Sequence, residues 1–149
     1  MDSIICLDGL EVVGAFLAEE LAKAGVLSMN AHKTIYIVTP EFNGNGQLMF
    51  RDNIQHMVRN RNVVILMGSI TTGETLRKCM ESILYYGGTI QGVSAIFSAV
   101  NKVAGLDINA VFYKKDVPDY QTHKASECPM CRKGEKLDAI VNGYGYSKL

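Results

Sequence analysis

The sequence predicts an α/β domain built on an open, mainly parallel sheet with helices on both faces. Three observations carry this expectation. Short β-rich apolar runs alternate with stretches of helical spacing. The runs are continuous rather than alternating, as in strands buried on both faces. Glycine or proline stands at nearly every junction between them.

Taken in order, Ile4-Ile5-Cys6-Leu7 is a buried strand closed by Asp8-Gly9. From Val12 to Ala24, Val13, Phe16, Leu17, Leu21 and Ala24 recur at helical spacing, and Gly25 is the stop. Thr34 to Thr39 is β-rich and ends at Pro40. Glu41 to Gln47, with Gly44 and Gly46, reads as an exposed turn or flap that continues into Leu48-Met49-Phe50. Val63 to Met67 is a strand. Leu76, Cys79, Met80, Ile83, Leu84 and Gly87 share one helix face, which ends at Gly87-Gly88. Thr89 to Phe97 is a strand, Ala99 to Ala104 a short helix before Gly105, and Ile108 to Tyr113 a last strand. Strands alternating with helices at this spacing give a parallel sheet. The expected division is a core over 1–113 and a polar C-terminal tail over 114–149 that packs on it.

Composition narrows the function classes. The chain has 149 residues, 48% of them hydrophobic, with 15 basic against 15 acidic side chains. That is enough for one core without disulfides. Neutrality excludes the broad basic field of a non-specific nucleic-acid binder. The start lacks the pattern of a secretory signal and no apolar run is long enough to span a bilayer, so a cytoplasmic protein without membrane contact is expected. Of the four cysteines, Cys6 and Cys79 fall on apolar faces and read as reduced core residues.

In such a sheet ligands sit at the carboxyl ends of the strands, beside the point where strand order reverses. The loops to inspect are therefore Asp8 to Glu11, Pro40 to Phe50 and Gly68 to Thr75. The last of these brings Ser69, Thr71, Thr72, Gly73 and Thr75 to a helix entrance, where backbone N–H groups and hydroxyls suit a phosphate dianion. Gly73 lets the backbone approach an anion closely. The same residues allow a plainer reading, because Thr71 and Glu74 have the S/T-x-x-E spacing of a capping box.

The stretch Val63 to Thr75, VVILMGSITTGET, resembles the phosphoribosyl-diphosphate motif of type I phosphoribosyltransferases: four apolar residues, two acidic ones, then a T-T-G-x-T loop entering a helix. Val63 to Leu66 match the strand, and Thr71, Thr72, Gly73 and Thr75 match the part that grips the 5′-phosphate. Asp8-Gly9-Leu10-Glu11 lies where that family has its diphosphate loop, and Pro40 to Phe50 where it has a mobile flap. The tail Cys128-Pro129-Met130-Cys131 is similar to a C-P-x-C segment of some orotate phosphoribosyltransferases. The resemblance covers nearly the whole chain. It implies a Rossmann-like type I fold and transfer of ribose 5-phosphate from its diphosphate donor to a pyrimidine base, orotate to orotidine monophosphate, with Mg²⁺ and in a homodimer.

Three departures accompany the match. Met67 and Gly68 stand where the family has two acidic residues that hold the ribose hydroxyls. Charge-assisted hydrogen bonds of about 1.5 to 3 kcal/mol each would be lost, on the order of a hundred-fold or more in binding. The flap, Glu41 to Gln47, has one anion and no cation, the wrong sign beside a departing diphosphate. The nearest substitutes are Arg51, His56, His32 and Lys33, each also explicable as a surface residue. The family's N-terminal hood over the base has no counterpart, which leaves an absent hood, a fragment of a longer product, or a partner in its place. These departures support an alternative reading, a catalytically degenerate nucleotide- or phosphate-binding module with a regulatory or structural role.

The tail holds one more constellation. Cys128 and Cys131 have C-x-x-C spacing, which suits zinc, a reactive dithiol or a tight turn. Zinc needs four ligands, so His123 or a two-fold partner would have to supply the rest. Asn142 to Tyr146 offers aromatics for a base, for a partner subunit, or for packing on the core.

Overall fold

The computed structural model describes residues 1–24, 34–123, 125–142 and 145–149. The chain divides into two compact units, Met1–Asp116 and Val117–Leu149.

The first unit is a six-stranded sheet in the order β2-β1-β5-β6-β8-β7, formed by β1 (Ser3–Cys6), β2 (Tyr36–Val38), β5 (Asn62–Ile70), β6 (Thr89–Ser98), β7 (Lys102–Val103) and β8 (Leu106–Tyr113). All pairings are parallel except β7 with β8. The first strand pairs with both the second and the third parallel strand, so chain order reverses between β1 and β5. The crevice at their carboxyl ends is the switch point at which such sheets bind ligands.

Alternation along β1 splits the core into two layers. Ile5 and Leu7 join a large cluster with Val63, Ile65, Met67 and four residues of α2 (Glu74–Tyr85): Leu76, Cys79, Met80 and Ile83. Ile4, Cys6 and Leu66 face the other way, against Leu17 and Ala18 of α1 (Glu11–Ala24). The expected parallel sheet with helices on both faces is therefore present. Burial pushes the Cys6 thiol up to about 11, with the Glu11 carboxylate adding to the effect, and burial alone pushes Cys79 up to about 12. Both thiols stay protonated, as reduced core residues should.

Several boundaries differ from expectation for physical reasons. The strand expected over 63–67 runs on to Ile70, because Ser69 and Ile70 keep pairing with Phe97 and Ser98 and Ile70 is buried. The helix expected over 99–104 is a hairpin instead: Val103 pairs with Leu106 across a turn in which Ala104 and Gly105 both take positive φ. Leu84 stays exposed, since the i, i+3, i+4, i+7 stripe of α2 closes at Ile83. In α1 the expected apolar face is largely bare: Val13, Phe16 and Leu21 are exposed and Gly14 is the buried position. Of the aromatic pair ending α2, Tyr86 stacks edge-on against buried Phe50 at 5.1 Å while Tyr85 is exposed. Gly25, His32 and Lys33 lie outside the described residues.

The expected flap is a two-stranded hairpin, β3 (Glu41–Phe42) with β4 (Leu48–Met49). Asn43 Oδ1 accepts the N–H groups of Asn45 and Gln47, closing the tip as an Asx turn. Leu48 and Phe50 are buried and root it in the core.

The second unit holds α3 (Pro129–Arg132) and a hairpin of β9 (Ala139–Asn142) with β10 (Gly145–Lys148). Among the described residues no helix is long and apolar enough to cross a membrane.

Candidate functional site

Two turns converge at the switch point. After β1 the chain turns through Asp8 (φ 58°) and Gly9 (φ 77°), and Leu10 N–H donates to Leu7 O to close the turn. Asp8 Oδ2 accepts the Gly68 N–H at 3.0 Å, which ties this turn across to β5. Gly68 suits the contact: a Cβ there would come within 3.3 Å of Asp8 Cβ. Glu11, in the first turn of α1, accepts a hydrogen bond from Thr39 Oγ1 at the end of β2. Asp8, Gly9 and Glu11 thus ring the crevice on the β1 side.

On the β5 side the loop is only Thr71 to Gly73. Gly73 is the N-cap of α2 with φ 83°, a conformation that favours glycine, and an added Cβ would meet Val103 Cγ2 at 2.6 Å. The capping box expected as the plainer reading is not formed, since the cap residue is Gly73 rather than Thr71. Thr72 Oγ1 instead accepts the Glu74 N–H at 3.4 Å. Gly73 itself offers no cap side chain, so beyond the Glu74 N–H held by Thr72 the first-turn N–H groups of α2 lack an intrahelical partner. Ser69, Thr71, Thr72 and Thr75 are exposed and, with Gly73, line a cavity of about 40 Å³.

Met67 is buried in the core and Gly68 is bound through its backbone, so neither presents an acceptor side chain to the crevice. The flap's anion is neutralised. Arg51 donates from Nε and Nη2 to both carboxylate oxygens of Glu41, at 3.0 and 2.6 Å, which lowers the Glu41 pKa and raises that of Arg51. Arg51 is thereby engaged as a structural partner. His56 packs edge-on against Tyr36, the first residue of β2, at the amino ends of the strands. It is remote from the crevice.

Sequence reasoning missed Lys78, one turn into α2, whose Nζ donates to Asn45 O at the flap tip at 3.5 Å. It lines a groove of about 470 Å³ between the flap and α2 with Asn43, Gln47, Glu81 and Tyr85. The sequence carries no local signal for that contact, because it depends on the flap lying along α2. His123 bonds Gln121, and among the described residues no three His, Cys, Asp or Glu side chains gather to hold a metal.

The sheet order and the loop at the start of α2 are consistent with a type I phosphoribosyltransferase-like α/β fold. Solved structures agree. The chain is similar to orotate phosphoribosyltransferase from Aeropyrum pernix at 20% identity and TM-score 0.51, over 78% of this chain and 62% of that one. It is similar to the hypoxanthine phosphoribosyltransferase of Trypanosoma cruzi at 11% identity and TM-score 0.55, over 76% and 61%. The Leishmania tarentolae HGPRT-ase, solved with GMP, matches at 19% identity and TM-score 0.51, over 74% and 59%. This chain thus spans about three fifths of the length of the solved proteins it matches. No protein-family model matches it, and no curated protein does.

Proposed function

We propose that this chain is a phosphoribosyltransferase of the orotate type, moving ribose 5-phosphate from its diphosphate donor to orotate to give orotidine monophosphate. The observation that carries the reading is the open, glycine-capped entrance of α2 at the switch point of the sheet. Ser69, Thr71, Thr72, Gly73 and Thr75 hold the 5′-phosphate through hydroxyls and N–H groups, and Asp8, Gly9 and Glu11 border the diphosphate end. Anchoring one end of the donor sets the position of its reacting carbon, where the bond to diphosphate breaks as the bond to the base forms. Mg²⁺ fits such a site in the usual manner of one carboxylate completed by phosphates and waters, and Asp8 is the residue that would hold it. When bound, the ion offsets the charge of the diphosphate.

A second reading is favoured by one observation: Met67 is 2% exposed, so the position that precedes Gly68 gives the ribose no acceptor. A module that keeps the phosphate cradle without turnover would bind a nucleoside monophosphate or sugar phosphate and serve a regulatory or structural role.

Loss of orotate absorbance in the presence of donor and Mg²⁺ supports the first reading, and its absence at high protein concentration overturns it. Calorimetric titration with orotidine monophosphate and with inorganic phosphate tests the cradle shared by both. Thr72→Val is expected to weaken phosphate binding on the order of ten-fold, the loss of roughly one hydrogen bond to a charged group. Equal heats for the variant and the wild type would remove the cradle. Gly73→Ala, strained at φ 83° and against Val103, is expected to destabilise by about 1–3 kcal/mol in urea denaturation.

A further inference from the structure

Strand β8 forms most of one edge of the six-stranded sheet. Its outer neighbour β7 pairs only with Leu106 and Asp107, and among the described residues no other strand pairs with β8 on that side. An open edge offers a row of backbone N–H and C=O groups to any other extended chain. The opposite edge strand, β2, is three residues long, which limits that hazard, whereas β8 has eight. The stretch Ile108 to Tyr113, INAVFY, carries no charge, no proline and no glycine, the composition of segments that pair between chains. Val111 and Phe112 on it are 70% and 51% exposed.

The backbone groups of this edge are nevertheless occupied. Ile108 N–H donates to Asn101 O, outside the sheet pairing with β6, and Ala110, two residues on, faces the same way. The Tyr113 hydroxyl reaches back to these two residues. It donates to Ile108 O at 2.9 Å and accepts the Ala110 N–H at 3.0 Å. A phenol hydroxyl can donate and accept at once, so this one group fills both places that a neighbouring strand would fill. Tyr113 is also held at its base. Asp116 Oδ2 accepts the Tyr113 N–H at 2.8 Å, and Lys115 Nζ lies 5.9 Å from the ring centroid.

We propose that Tyr113 plugs the β8 edge, its hydroxyl occupying the Ala110 N–H and the Ile108 carbonyl so that two copies of this chain do not pair through their β8 strands. A second strand can form the ladder here only after both of those hydrogen bonds are broken. The proposal does not rest on the reading given for the phosphate loop.

Tyr113→Phe in the full chain removes the hydroxyl and keeps the ring. At low protein concentration the Ala110 amide of this variant is expected to exchange with solvent on the order of ten-fold faster than in the wild type. As concentration rises, sedimentation is expected to show the variant associating beyond the state of the wild type. Adding Val111→Lys places like charges across any β8–β8 pair and is expected to return the sedimentation to that of the wild type. Association of Tyr113→Phe no greater than that of the wild type overturns the proposal. So does association that Val111→Lys leaves in place, which is the behaviour of a variant that has lost its fold and sticks through its core. Rapid exchange of the Ala110 amide in the unaltered chain overturns it whatever the variants do.

Discussion

Helices α1 and α2 flank one sheet from opposite faces, yet they are held in different ways. Helix α2 buries Leu76, Cys79, Met80 and Ile83, and each fills the large cluster beneath β5 and β6. Helix α1 buries only Gly14, against which Cys6 sits so closely that an added Cβ would meet its sulfur at 2.4 Å. Val12 and Phe16 meanwhile stay 68% and 66% exposed. One helix is fixed by a broad buried stripe, the other by the close approach at Gly14 together with half-buried Leu17 and Ala18. The helix that starts at the Thr71–Gly73 loop is the one locked by area, which holds its first turn in place.

Three substitutions probe this contrast. The largest effect is expected from Ile83→Ala, which empties a fully buried site under α2 and should cost about 2–5 kcal/mol. Urea denaturation would read it as a lower midpoint at unchanged slope. Gly14→Ala forces a methyl group into Cys6 and is expected to cost about 1–3 kcal/mol by overpacking. Adding Cys6→Ala should recover part of that loss, and strict additivity in the double variant would mean that the Gly14–Cys6 contact does not set the position of α1. The smallest effect belongs to Phe16→Ser, within about 0.5 kcal/mol, as for other exposed sites. A Phe16→Ser loss rivalling that of Ile83→Ala would show α1 to be covered in solution and would erase the contrast.

The two helices also mark how far local pattern reaches. Helical spacing placed both correctly, since it depends on 3.6-residue periodicity alone. The buried stripe of α2 was readable for the same reason. That of α1 was readable only at Leu17, which packs on the second cluster, because the buried glycine contributes no apolar signal and Val13, Phe16 and Leu21 are exposed. The segment 99–104 read as helix because its apolar residues fit that period, whereas the Ala104-Gly105 turn and pairing with β8 made it a hairpin.

What the amino-acid order determined by itself is what depends on near neighbours: the alternation of strands and helices, the glycines at turns, the Thr71–Thr75 loop at a helix entrance and the tight Cys128–Cys131 turn. What only tertiary structure decided is how distant pieces meet. Asp8 and Gly68 are sixty residues apart in sequence, yet they close the crevice with one hydrogen bond. Val103 makes Gly73 a packing requirement as well as a backbone one. Arg51 answers the flap's Glu41, and Lys78 reaches the flap from α2. Such contacts follow from sheet order and from which faces pack together, quantities that no window of local residues contains.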